Sequence, residues 1–158
     1  MNDPAPREIL DALEIALRRG RQICVQASGL SMGAPFASTD GIVIQSADSS
    51  GLRPGMIVVY RRDNRWIVHR VIRTFGRNAE YLCVAKGDGV NRLDRPFVAR
   101  EEYVGLVVGI RAGERTRMFT ARDRIKGRWI ALVGLLETGA VTAMRWLLRR
   151  CSTPRPSN

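Results

Sequence analysis

Six short apolar runs, each parted from the next by a cluster of turn-forming residues, constrain this chain more than any other feature. They cover residues 23–27, 41–45, 56–60, 66–72, 80–85 and 103–110. Val and Ile dominate them, and β-branched side chains suit a pleated surface better than a helix. Residues 46–55, 61–65 and 87–96 separate the runs and are rich in Gly, Asp, Asn, Ser, Arg and Pro. This spacing predicts a mainly β domain of short, mostly antiparallel strands, arranged as a sandwich or a partly open barrel. Residues 61–65 (Arg-Arg-Asp-Asn-Arg) read as a hairpin loop, so the runs on either side are expected to pair. At 158 residues the chain is long enough to bury one core without disulfides.

Helical patterns flank the β-rich stretch. Over residues 4–19, Ile9, Leu10, Leu13, Ala16 and Leu17 form one stripe, Asp3 can cap the start, and Gly20 ends the pattern. Beyond residue 113 a basic linker leads into residues 129–148, apolar except for Glu137, Thr138, Thr142 and Arg145. A central Glu makes a spanning helix costly. A helix lying in a membrane interface fits this pattern, and so does one packed on the domain or on a second copy. The expected organisation is an N-terminal amphipathic helix over 1–21 and a β domain over 22–113. A basic linker with a C-terminal apolar helix (114–150) and a polar, disordered tail (151–158) complete it.

The formal net charge is +11, and only Lys86 and Lys126 are lysines. A solvated surface accounts for this plainly; a functional reading favours an anionic membrane surface met through residues 129–150. Nucleic acid is an unfavoured partner, because about twenty residues before the β domain are too few for a helix-turn-helix. Cys24, Cys83 and Cys151 are odd in number and widely spaced. Cys24 and Cys83 read as small core residues. With one histidine in the chain, neither a disulfide framework nor a Cys/His metal site is expected, and no cofactor is implied. The acidic N-terminus lacks the apolar core of a secretory signal, so the expected location is cytoplasmic or peripheral to a membrane. The pattern leaves the oligomeric state open.

Three elements carry chemistry. In Ser28-Gly29-Leu30-Ser31-Met32, glycine permits a tight turn after a strand and can present a serine with its backbone N–H aimed at a carbonyl. Alone, this is ordinary turn chemistry. His69, the only histidine, lies in the strand-like run Trp66-Ile67-Val68-His69-Arg70-Val71-Ile72. A lone strand histidine is usually structural, yet imidazole is the base a serine hydroxyl needs at neutral pH. The loop Lys86-Gly87-Asp88-Gly89-Val90-Asn91-Arg92-Leu93-Asp94 then offers two carboxylates, either of which could orient an imidazole.

In this order the elements resemble the signal peptidase I and LexA-type serine peptidase clan. Gly29-Leu30-Ser31-Met32 resembles its nucleophile box, Val68-His69-Arg70-Val71 the box that supplies the base, and Lys86-Gly87-Asp88 with Asp94 the box that follows. Residues 39–44, 52–60 and 104–109 resemble its intervening and closing strands. The resemblance implies the clan's β-rich catalytic fold and the subtype that uses histidine rather than lysine as base. It further implies a Ser/His/Asp endopeptidase of Ser31, His69 and Asp94, with Asp88 as the alternative orienter, acting on an extended leader or signal peptide. The Ser31 N–H, helped by Gly29 or Ser28, would form the oxyanion hole, and Met32 and Pro35 would line the substrate cleft. Here the proline falls one residue later than in the clan's Ser-Met-x-Pro. That altered turn supports the alternative of a catalytically silent β domain that binds a peptide or partner protein.

Overall fold

The computed structural model describes residues 7–26, 31–33, 36, 39–76 and 79–151, with 138–151 as backbone alone. Among the described residues, helix α1 (Arg7–Arg18) is followed by eight strands: β1 (Gln22–Val25), β2 (Gly41–Gln45), β3 (Ile57–Arg62), β4 (Arg65–Thr74), β5 (Tyr81–Lys86), β6 (Val98–Ala99), β7 (Tyr103–Ala112) and β8 (Arg115–Met118). Helix α2 (Ala121–Cys151) follows. Every strand pairing is antiparallel, in the order β1-β2-β7-β3-β4-β5-β6, with β8 added to β7. The strands therefore form one hydrogen-bonded sheet rather than two packed against each other.

The β3–β4 hairpin closes on Asp63 and Asn64, with φ of 49° and 57°. Two consecutive positive φ values are what a two-residue hairpin turn requires, and Asp and Asn tolerate that region better than most residues. The turn sets Arg62 opposite Arg65 and, five pairs along, Ile57 opposite Arg70.

Strand alternation sorts the core. On β3, Ile57 and Val59 face one cluster with Leu17, Ile42, Ile44 and Val107. Val58 and Tyr60 face a second with Val71, Leu82, Ala85 and Val98. A strand buried on both faces reads as a continuous apolar run, which is how β3 reads in the sequence. Helix α1 closes the first cluster with Leu17, and its Leu10 is buried too, while Ile9, expected on its apolar stripe, is half exposed. Arg61 pairs with Asp11 and Glu14 to hold α1 against β3.

Three expectations are corrected. The stretch expected to be a linker forms β8 and the first turns of α2, which starts at Ala121 rather than near residue 129. β8 is Arg-Thr-Arg-Met, exposed throughout, so no apolar alternation marks it. Thr120 caps α2: its backbone N–H and hydroxyl both donate to Asp123 Oδ2, at 2.8 Å each. Cys24 is exposed, because on β1 the alternate residues Ile23 and Val25 turn inward. Among the described residues, no helix is long and apolar enough to cross a membrane.

Helix α2 lies across β4 by way of glycines. A Cβ at Gly127 would stand 2.5 Å from the Gly55 carbonyl oxygen, and one at Gly55 would stand 2.5 Å from the Arg128 nitrogen. Neither position can carry a side chain without moving backbone. Ala131 then packs with Ile72 and Val84.

Candidate active site

β4 positions His69. Its odd residues Ile67 and Val71 face the cluster of Tyr60 and Ala85, and its even residue Ile72 faces α2. His69 takes the first face and Arg70 the second, as neighbours on a strand must. The two therefore meet different carboxylates of the 86–94 loop. His69 Nδ1 lies 2.6 Å from Asp94 Oδ2. Arg70 instead grips Asp88 with two hydrogen bonds, Nε to Oδ1 at 2.8 Å and Nη2 to Oδ2 at 2.6 Å. Its remaining Nη1 donates to the Gly55 carbonyl at 2.8 Å. Asp94 is the carboxylate at the imidazole, and Asp88 is committed to a buried guanidinium.

Asp94 has a second donor. Tyr60 Oη donates to the same Oδ2 at 2.9 Å, and its ring meets the imidazole edge-on at 6.4 Å between centroids. Burial pushes the Tyr60 phenol far above its ordinary titration range, and the Asp94 charge adds to this, so the hydroxyl stays a donor. An ionised Asp94 can only accept, which makes His69 Nδ1 the protonated ring nitrogen and leaves Nε2 with a free lone pair. The Asp94 backbone is fixed by its own N–H donating to the Ala85 carbonyl at 2.9 Å.

Nε2 faces the serine loop. A Cβ placed on Gly87 would stand 3.0 Å from His69 Nε2, 3.0 Å from the Ser31 carbonyl carbon and 2.3 Å from its oxygen. Gly87 thus stands beside both the imidazole and the Ser31 carbonyl, and a side chain there would clash with both. One residue pair further, the Gly89 N–H donates to the Ser31 carbonyl at 2.8 Å. The loop that carries both carboxylates thus also holds the serine turn in place. Ser31 is partly exposed, whereas Met32 is buried in the α1-side core with Leu17 and Ile57. Ser28, Gly29 and Pro35 lie outside the described residues.

Other nucleophiles are poorly placed. Burial pushes the Cys83 thiol up to about 12, so it carries no useful thiolate. Lys86, buried beside the loop, turns towards α2 and reaches Glu137 at 3.8 Å. A cavity of about 340 Å³ opens beneath the start of α2, between Phe36, Met56, Ile110 and Phe119; its lining includes none of Ser31, His69 and Asp94. No group of residues suited to hold a metal occurs among the described residues.

Sequence reasoning missed Tyr60 and Arg70 as parts of this arrangement. Tyr60 was read only as the end of an apolar run, although a tyrosine on a doubly buried strand needs a partner for its hydroxyl. The Arg70 signal was present: a charged residue beside His69 on a central strand must find a carboxylate once buried.

The chain matches no protein-family model, no curated protein and no solved structure. Function is therefore argued from the site itself.

Proposed function

We propose that the chain is a serine endopeptidase of the signal peptidase I/LexA-like kind, with Ser31 as nucleophile, His69 as general base and Asp94 as orienter. The observation that carries this reading is the line from Asp94 Oδ2 through His69 to an Nε2 that faces the Ser31 backbone across Gly87. The antiparallel sheet with helices at both ends agrees with the clan's architecture, and the clan's own fold is part of the proposal.

Ser31 Oγ attacks the carbonyl carbon of the scissile peptide, and its proton passes to His69 Nε2. Charge gathers on the carbonyl oxygen, where the Ser31 N–H is the donor at hand. Asp94 stabilises the imidazolium without taking its proton. His69 then gives that proton to the leaving amine as the C–N bond breaks. Water, activated by the same nitrogen, hydrolyses the acyl-enzyme. The substrate is a peptide bound in extended form, a leader or signal peptide in class.

Incubation of a mixed peptide library with wild-type protein and with Ser31→Ala tests the reading. Cleavage by wild type alone is expected. Cleavage by neither, from folded protein, would move the assignment to a β domain that binds peptides without cutting them.

A further inference from the structure

Helix α2 turns one face to the sheet and leaves the opposite one apolar. Gly127, Ala131 and Gly134 are buried against β4 and β5. On the far side stand Ile125, Trp129, Leu132, Val133 and Leu136, between 47% and 64% exposed. Their spacing of four, three, one and three residues places them in one stripe. At about 100° per residue, Lys126 falls along one border of this stripe, Arg128 along the other and Arg122 at its N-terminal end, all exposed. Apolar residues flanked on both sides by cations make a surface that sinks its centre into hydrocarbon and keeps its margins at headgroup level.

We infer that this face of α2 seats the protein on an anionic lipid surface, with the helix lying in the plane of the membrane. Charge decides between the occupants. A second copy would bring the same cationic borders, and the same +11, against themselves. An anionic bilayer complements both features at once, the stripe through its hydrocarbon and Arg122, Lys126 and Arg128 through its phosphates. The helix does not span: no segment among the described residues is apolar enough. This inference stands independently of the peptidase assignment, because the sheet-facing residues of α2 hold the helix whatever the site does.

Flotation of the full-length protein with vesicles tests it, using phosphatidylcholine alone and phosphatidylcholine mixed with phosphatidylglycerol. Binding is expected to the mixed vesicles only, and to weaken as salt is raised. Leu132→Ser/Leu136→Ser should weaken it about tenfold or more, from lost apolar burial. Arg122→Ser/Lys126→Ser/Arg128→Ser should do so at low salt. All five side chains are exposed, so both variants should keep the wild-type circular dichroism. Failure to bind the mixed vesicles, equal binding to both kinds, or binding that neither variant alters would overturn the inference. So would vesicle-free self-association that Leu132→Ser/Leu136→Ser abolishes, which would give the face to a second copy.

Discussion

At the scale of single residues, Asp94 and Asp88 lie six positions apart in one loop yet do different work, because His69 and Arg70 point to opposite faces of β4. Their substitutions should separate cleanly. Asp94→Asn would leave the fold in place but favour the wrong imidazole tautomer, and kcat should fall by about three to four powers of ten. Asp88→Asn would strand a buried Arg70, so the loss should appear in stability, about 3 kcal/mol by urea denaturation. Steady-state kinetics beside denaturation curves checks both; the reverse pattern would exchange their roles. The sequence reading proposes Ser31 and His69 through the order of their boxes and favours Asp94 over Asp88 by resemblance alone. Spacing alone cannot divide two carboxylates in one loop. Strand alternation can, once Arg70 is recognised as a second buried charge that needs one of them.

At the scale of elements, the runs of Val and Ile were legible almost strand for strand, because burial forces a pattern on them. β8 and the first turns of α2 were not, since exposed residues carry no such pattern and their signals are local. One was present: Thr120 and Asp123 stand at capping-box spacing. The Thr120 backbone N–H and hydroxyl, with Arg117, hold the Asp123 carboxyl at about 2, below its ordinary 3.8. A value depressed by folding contributes stability that is whole above 3.8 and lost as pH falls through about 2. The stability gap between wild type and Asp123→Ala should therefore be flat at neutral pH and shrink across that acid interval, as read from urea midpoints. Gly127 tests the seating of the helix. Alanine there should gain about 1 kcal/mol of helix propensity. Its Cβ would meet the Gly55 oxygen at 2.5 Å, and forced overpacking costs about 1–3 kcal/mol. The clash involves backbone on both sides and should win, so Gly127→Ala should lower the melting temperature; a rise would mean that α2 is loosely held.

Across the described residues, one sheet serves two cores, and the candidate site lies on the Tyr60 face of β4, opposite the face that meets α2. β3 is buried on both faces, β4 divides its side chains between the Tyr60 cluster and the helix, and the 86–94 loop joins them to Ser31. His69, Asp94 and the serine turn are thus joined through one loop, which is the arrangement the proposed preorganised nucleophile requires. The most direct test is covalent: incubate folded wild type, His69→Ala and Asp94→Asn with a fluorophosphonate and locate the adduct by mass spectrometry. The proposed triad predicts a single adduct on Ser31 in wild type, formed far more slowly in both variants. No adduct on Ser31, or one formed as fast without His69, would contradict the assignment of this chain as a serine peptidase.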